Sequence, residues 1–586
     1  MSSNKKRQSL LQMGLFLGIV VFINILANAR LGNFALYRTF DLTEEKRFTL
    51  TEGTKNLLRD LDEVVYIKVL LDGKLPAELK RLRASTIDIL DDFRGLSALV
   101  DYDFENPLEG KTEQVNARME QLSKEGMSPM SFTVVKGAQR DDTPVFPYAI
   151  VNYKGRNFSV NLMENQDPTL SSEVVLNNAV SLLEYKLANA IQKLQQVSKP
   201  SVLFTQGHGE IIETERADFE RSLRKFCNTG TIVLDSVPYI NSEISALVVA
   251  KPLTAFSEKD KFKIDQYVMN GGKILWLLDM VRMDKDSLFS RPEYIPGDYQ
   301  LNVEDLLFRY GVRIQPNLVL DLQCSPIWVA TGKQGERQQR QPIAFPYHIL
   351  TVSNADHPVS KSVAPVNMLF ASTIDTAVRT KTPVKKSVLL TTTPRTRLQY
   401  LPVRLSLDFL RYIDPVKFDK GPQVLAVALE GTFPSMYENR ITPEMQSGLA
   451  QLGQTYKNVS SPTRQIVVAD GDVAKNKYLK TRDQVIPLGY NEVENFFYAN
   501  KEFLQNAVEY LLDQNGIIAA RGKEVRLRML DTTRAQGEKS WWQLVNIVFP
   551  LLILGIFGSI YGWWRKRRYA GVEKVEEVED EATTSF

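Results

Sequence analysis

The two ends of the chain constrain it most. Near the carboxyl end, Trp541-Trp542-Gln543, the apolar run Leu544 to Ile560 and Tyr561-Gly562-Trp563-Trp564 contain no ionisable side chain other than Tyr561, and Arg565-Lys566-Arg567-Arg568 follows. At ~1.5 Å rise per residue, 541–564 makes a helix of roughly 36 Å, enough to cross a hydrocarbon layer of ~30 Å. Tryptophan at both ends suits the two headgroup layers, where an indole buries its ring and hydrates its N–H. At the amino end Lys5-Lys6-Arg7 precedes an uncharged run from Gln8 to Ala29, read as a first span over 9–29. Two readings of it stand. One is an uncleaved anchor, favoured because the run exceeds the ~7–15 residues of a signal-peptide core; the other is a secretory signal cleaved after Ala27-Asn28-Ala29. Both send the following residues out of the cytoplasm. Basic clusters before the first span and after the second place the tails 1–8 and 565–586 in the cytoplasm and 30–540 beyond the inner membrane.

What lies between the spans is large enough for two to four domains. The 72 Lys+Arg nearly balance 69 Asp+Glu, and the basic clusters are explained by topology, so no nucleic-acid footprint is expected. Two cysteines, Cys227 and Cys324, either pair or sit as small apolar residues in a core; with three histidines and no C-x-x-C, zinc-ribbon, redox and c-type haem sites are excluded.

Along the chain, Thr51 or Thr54 is placed to cap a helix through Leu61. Strands at 64–70, 100–104, 131–135, 149–153 and 157–162 alternate with helices at 76–93 and 115–122, an order that reads as a thioredoxin-like layer without the dithiol. Apolar residues at 176, 179, 180, 183, 187, 190, 191 and 194 follow helical spacing, so a helix over 170–197 buries one face. Lys199-Pro200 ends it and marks a boundary. Beyond, strands at 201–206, 231–235, 246–250 and 273–279 alternate with helices at 219–226 and from Ser257, whose Asp260 has capping-box spacing and whose end is Asn270-Gly271-Gly272. Strands at 423–430 and 465–469 and a helix at 500–512 follow. The expected fold class is α/β: a membrane-anchored chain with a thioredoxin-like domain over 30–198, a doubly wound, mostly parallel domain over 199–530 with an insertion near 323–420, a polar linker at 531–540 and two flanking transmembrane helices. The acidic stretch 573–581 is expected to be disordered.

Gly207-His208-Gly209-Glu210, at the carboxyl end of a strand, is the best candidate for a site, because open α/β sheets place ligands there. It lacks the third glycine of a dinucleotide loop and the P-C-x-x-C of a zinc deaminase. A structural or interface role is favoured over ligand binding or hydrolysis by His208 and Glu210. Asp470-Gly471-Asp472 reads as a turn or a cation site; His348 and His357 have no metal-ligand spacing. No catalytic residue, cofactor or metal is assigned. In the spans, Gly14 and Gly18, Gly558 and Gly562, with Asn24 and Asn546, offer small or polar faces for packing on other membrane helices.

Asp41-Leu42-Thr43 through Thr51-Glu52-Gly53-Thr54, Leu183-Glu184-Tyr185 with Ala188-Asn189-Ala190-Ile191, Gly207-His208-Gly209-Glu210, Gly271-Gly272, Gly471-Asp472, Leu488-Gly489-Tyr490-Asn491, the run Asn500 to Asn506 and the run Arg521 to Arg528, in this order between two spans, resemble the gliding-motility-associated ABC transporter component GldG. The resemblance implies a non-catalytic accessory subunit in the inner membrane of Bacteroidota. Its partners would be a multispanning permease, a separate cytoplasmic ATPase, membrane lipid and an envelope or secretion-machinery component, in the service of gliding motility and linked secretion. It also implies a central domain like one of an intraflagellar transport subunit, a binding platform. The alternatives are a periplasmic solute receptor with a pocket at the Gly207 turn and a membrane-tethered hydrolase using His208 and Glu210.

Overall fold

The computed structural model describes residues 11–23, 30–31, 34–35, 49–136, 139–163, 172–196, 198–283, 285–334, 337–522 and 532–569. The chain divides into two compact units, 1–525 and 526–586. Asn24, the tails 1–8 and 573–581, Asp41-Leu42-Thr43 and Lys523 to Arg528 lie outside the described residues.

After helix α1 (Leu11–Ile23), α2 (Glu52–Arg59) opens at Thr51, whose Oγ1 accepts from the Thr54 N–H at 3.4 Å. Strand β1 (Val65–Val69) buries Val65, Ile67 and Val69, the alternation of a half-covered sheet. It pairs in parallel with β2 (Val100–Phe104), reached through α3 (Ala77–Leu96), because a parallel return needs a crossover. Past α4 (Thr112–Lys124) comes a separate two-stranded ribbon, β3 (Met130–Lys136) with β4 (Gln139–Val145). Antiparallel β5 (Tyr148–Tyr153) and β6 (Arg156–Asn161) complete a sheet of order β2-β1-β5-β6. The helix α5 (Ser172–Gln195) then packs its apolar face, Leu176, Ala179, Leu183, Leu187 and Ile191, into the same core.

The second sheet has eight strands. Its parallel part is β7 (Ser201–Gln206), β8 (Asn228–Val233), β9 (Ile244–Ala250), β10 (Ile274–Leu277) and, far along the chain, β19 (Thr463–Val468). Alternate residues point to opposite faces. Val248, Leu275 and Ile466 meet α6 (Glu213–Arg224) and α11 (Asn500–Leu512) on one side, whereas Val249, Trp276 and Val467 meet α7 (Glu258–Met269) and α9 (Glu304–Tyr310) on the other. Both faces are covered, so these strands read as continuous apolar runs. Trp276 is fully buried and its Nε1–H donates to Gln465 Oε1 at 2.9 Å, giving its one polar atom a partner.

The segment 323–420 is woven into this sheet. Between α8 (Lys285–Ser290) and the return to the sheet lie β11 (Asn317–Asp321), the long hairpin β12 (Cys324–Gln334) and β13 (Arg337–Leu350), β14 (Val352–Ser353), β15 (Asn367–Leu369), β16 (Val384–Thr391) and β17 (Thr396–Tyr400), then β18 (Val424–Gly431). The sheet order is β8-β7-β9-β10-β19-β18-β16-β14, with the last three strands antiparallel. A register shift between Val388 and Leu390 lets both Leu389 and Leu390 be buried, which erases the alternation a strand normally shows in sequence. Cys227 is buried and Cys324 half-buried, and both are free; burial pushes each thiol up to about 12.

In the second unit, α12 (Thr532–Tyr569) is long and apolar enough over Gly537–Arg568 to cross a membrane. The expected linker 531–540 is helical from Thr532. Arg534 pairs with Glu538 at 2.8 Å one turn on, and Glu538 accepts from Trp542 Nε1 at 3.0 Å, so the polar residues prolong the helix. Arg567 and Arg568 lie over the rings of Trp563 and Trp564 at 4.8 and 4.9 Å.

Candidate functional site

The turn that leaves β7 is enclosed by its own chain. Gly207 and Gly209 take φ of +122° and +77°, which costs glycine little and other residues about 1–2 kcal/mol. A Cβ at Gly209 would also stand 3.1 Å from Leu253 Cβ. Leu253 and Thr254, in the loop after β9, donate their N–H groups to the His208 carbonyl at 2.7 and 3.0 Å. The His208 N–H donates to Glu210 Oε2 at 2.7 Å, and its ring stacks on Phe256 with centroids 4.0 Å apart. Nδ1 lies 3.6 Å from Glu210 Oε1 and Nε2 lies 3.5 Å from Asp260 Oδ2. Burial disfavours the imidazolium, but Glu210 and then Asp260 outweigh it and hold His208 above its ordinary pKa. The His208 and Glu210 side chains are 6% and 1% exposed. The turn therefore ties β7, the β9 loop and the amino end of α7 together, and Ser257 caps that helix through the Asp260 N–H at 3.2 Å.

The Asp470-Gly471-Asp472 turn already holds a cation, and it belongs to the chain. Lys251 Nζ lies 3.2 Å from Asp279 Oδ2 and 2.5 Å from Asp472 Oδ1. Burial works against the Lys251 charge, yet Asp279 and Asp472 raise its pKa above the usual lysine value. Asp470 accepts from the N–H groups of Leu369 at 2.9 Å and Asp472 at 2.7 Å; burial and the neighbouring Asp279 and Asp472 push its carboxyl well above the usual range. Gly471 is glycine because a Cβ there would come within 2.7 Å of Lys251 Cβ and Cγ. Among the described residues no cluster is suited to a metal ion.

Beside this cluster a cleft of about 600 Å³ opens at the carboxyl ends of β9 and β19. Segments around Lys285, from His348 to Phe370 and from Asp472 to Asn500 form its walls. Lys285, Lys475, Lys477 and Lys480 line it as exposed side chains. Lys475 pairs with Glu215 at 3.2 Å and Lys477 with Glu492. Its polar lining includes His348, Asn367 and Asn500. The Asn500 side chain accepts from the Asn367 N–H at 2.9 Å and donates to the Asn367 carbonyl at 2.7 Å, which fixes the start of β15. Burial pushes the His348 imidazole down to about 4, so the ring is neutral near pH 7. The cleft draws on residues far apart in sequence. The signal available was the run Lys475-Asn476-Lys477-Tyr478-Leu479-Lys480, which follows a strand and the Asp-Gly-Asp turn at its end.

Helix α5 explains several sequence motifs without chemistry. Glu184 Oε1 accepts from the Thr51 N–H at 2.7 Å and Oγ1–H at 2.9 Å, joining the start of α2 to α5. Glu509 of α11 accepts from Asn189 Nδ2 at 3.1 Å and from the Tyr185 hydroxyl, and pairs with Lys193 at 2.5 Å. Burial would raise the Glu509 pKa, but Lys193 leads the groups that hold it below the ordinary carboxylate value. Lys193 Nζ also lies over the Phe226 ring at 4.0 Å, and the Arg521 guanidinium over Tyr185 at 5.0 Å. In the two apolar helices, Gly14, Gly18, Gly558 and Gly562 face open space, and Asn546 is exposed.

Comparison with known proteins adds to this geometry. Residues 44–152 match a family model described as a domain of unknown function. An uncharacterized protein of Borreliella burgdorferi is 20% identical over 469 residues, covering 77% of this chain and 84% of that protein. The solved mmIFT52 N-terminal domain aligns with 53% of this chain and 96% of its own at 12% identity and a TM-score of 0.29, a likeness too slight to argue from. Residues 199–507, just over half of the chain, match the family model described as "ABC-type uncharacterized transport system", and the chain belongs to that family of ABC-transport auxiliary components.

Proposed function

We propose that this chain is a non-catalytic accessory subunit of an ABC transport complex in the bacterial inner membrane, with both termini cytoplasmic and the bulk of the chain periplasmic. The family match over 199–507 carries the reading. The sequence lacks a nucleotide-binding loop, so a multispanning permease and a separate ATPase are other chains. The strand order β2-β1-β5-β6 supports a thioredoxin-like layer without the dithiol, and helices on both faces of the larger sheet support a doubly wound domain. ATP-driven movement of permease helices would pass through the spans, with Gly14, Gly18, Gly558 and Gly562 at the packing faces, into the exported module. The GldG resemblance extends the reading to gliding motility and linked secretion. Burial of His208 and Glu210 weighs against the hydrolase alternative. The solute-receptor alternative is favoured by the cleft, which lies beside the Lys251 cluster rather than at the Gly207 turn. Affinity purification of the tagged chain from native membranes is expected to bring down a permease and an ATPase in stoichiometric amounts; recovery of the chain alone would overturn the assignment.

A further inference from the structure

The larger sheet ends in a strand whose outer edge is open. β8 closes the strand order on one side, and no further strand pairs with it among the described residues. Asn228 donates its N–H to the Pro200 carbonyl at 2.9 Å, which sets the phase of the parallel ladder: Asn228, Gly230 and Ile232 turn their backbone groups to β7, whereas Thr229, Thr231 and Val233 turn theirs outward. Thr231 and Val233 are exposed. The strand is also held firmly, because Arg216 and Arg224 of α6 donate to the Thr231 and Thr229 hydroxyl oxygens at 2.8 and 3.0 Å.

Elsewhere the chain guards such edges. An open row of N–H and C=O groups is a template for another strand, and folds blunt it with charge, proline, bulges or brevity. Beside β2, the Val65 N–H donates to the Leu99 carbonyl and the Glu105 N–H to the Val69 carbonyl, so the N–H groups of Tyr102 and Phe104 face outward. Asp101 and Asp103 Oδ1 accept from these two at 3.0 and 2.8 Å. β12 carries Pro326 and two register shifts, and β14 is two residues long. β8 has none of these devices. Its sequence Asn-Thr-Gly-Thr-Ile-Val holds no charge and no proline, and its register against β7 is unbroken over six residues. Its carboxyl end is apolar, since Val233 and Leu253, both partly exposed, flank Gly207 and Gly209 of the turn.

We propose that β8 is the seam between two copies of this chain, paired antiparallel about Thr231 into one continuous sheet. Thr231 then exchanges N–H and carbonyl bonds with its counterpart, and Thr229 does so with Val233 of the second copy. The charges at the strand ends select this occupant and this direction. Arg224 and Lys225 stand exposed before β8, and Asp235 stands exposed beyond it. Antiparallel pairing of like strands sets the basic end of one against the acidic end of the other, whereas parallel pairing would set Lys225 beside Lys225. The seam also withdraws Val233 from water.

Self-association of the purified full-length chain needs no permease or ATPase, so its outcome is separable from that of the co-purification. Sedimentation velocity in density-matched detergent is expected to show a concentration-dependent equilibrium between monomer and dimer. Thr231→Pro removes an N–H that no bond inside the sheet uses, and an edge strand tolerates proline at such a position. It should abolish the dimer and leave the far-ultraviolet circular dichroism unchanged. Thr231→Lys, which sets like charges opposite each other, should do the same and stands in if the proline variant unfolds. Lys225→Asp or Asp235→Lys alone should weaken the dimer about three- to tenfold. The two together should restore it, because each end again meets its opposite; a foreign strand would gain nothing from the exchange. The proposal falls if the chain stays monomeric up to about 100 μM, if the dimer survives both Thr231 substitutions, or if the paired charge exchange associates no better than the single ones.

Discussion

Two regions of this molecule bury charge and polar groups, and they settle them in opposite ways. At the junction of α5 and α11, Glu509 receives Lys193, Tyr185 and Asn189, while Glu184 receives both the N–H and the hydroxyl of Thr51. At the carboxyl edge of the larger sheet the polar groups instead line an open cleft: the neutral His348 imidazole faces the Asn367 side chain, and Lys285 and Lys480 stand at the opening as exposed side chains. A completed buried network specifies one packing and rigidifies it, whereas exposed charges at an open cleft add little to stability. The junction therefore reads as the frame and the cleft as a surface that the frame leaves open.

The largest expected effect breaks the frame. Glu509→Ala leaves the Lys193 ammonium largely buried, at 12% side-chain exposure, and strips the Tyr185 hydroxyl of its acceptor. Removing one member of such a pair costs about 3–5 kcal/mol, to be read from denaturant unfolding. A loss within about 0.5 kcal/mol would mean the network is solvated and the contrast void. Next in size is pH. His348 in the cleft and His357 against Tyr510 of α11 both fall from 6.5 to about 4 through burial. The folded state thus resists protonation that the unfolded state accepts: this stability is complete above pH 6.5 and lost as pH falls toward 4, by up to about 3 kcal/mol per histidine. His208 has the opposite sign, since its raised pKa gives stability complete below pH 6.5 and lost as pH rises through the folded value. Melting curves from pH 7.5 to 4.5 should therefore flatten at their acid side in His357→Phe, and a profile unchanged by that substitution would contradict the assignment.

How much of this was legible in the sequence follows from the reach of each signal. The cap at Thr51, the capping box at Ser257 and the runs of β9 and β10 are local, and the sequence carries them. The Gly207 turn was visible as a turn, but its closure by Leu253, Phe256 and Asp260 was not, because those residues lie some fifty positions on and nothing local pairs them. The motif Leu183-Glu184-Tyr185 was visible as a pattern without a reason; its reason is Thr51 on one side and Glu509 on the other. In 323–420 the bulge beside Leu390 and the exposed run Gln339 to Pro342 of β13 break the alternation that identifies strands. The cleft was hidden because it is assembled from segments far apart in sequence, from Ile212 to Asn500.

Two smaller substitutions separate the regions further. Glu184→Ala removes the acceptor of two Thr51 donors and should cost about 1–3 kcal/mol; a double-mutant cycle with Thr51→Ala would report their coupling. Gly209→Ala meets both a left-handed φ and Leu253 Cβ, and about 1–2 kcal/mol is expected in thermal unfolding.

The smallest expected effect on stability is also the most telling. Lys480→Ala and Lys285→Ala remove exposed lysines that support no ion pair among the described residues. Surface changes of this kind alter stability by no more than about 0.5 kcal/mol. For Lys285 burial and then Lys477 act against the charge while Glu492 and Asp286 act for it, so the net change should be small. Denaturant midpoints of the unaltered chain and of each variant, at low ionic strength where such interactions are least screened, decide it. A rise or no change, beside the several-fold larger loss in Glu509→Ala, keeps frame and cleft distinct. A loss above about 1 kcal/mol would make the rim lysines part of the fold and void the contrast between the two regions.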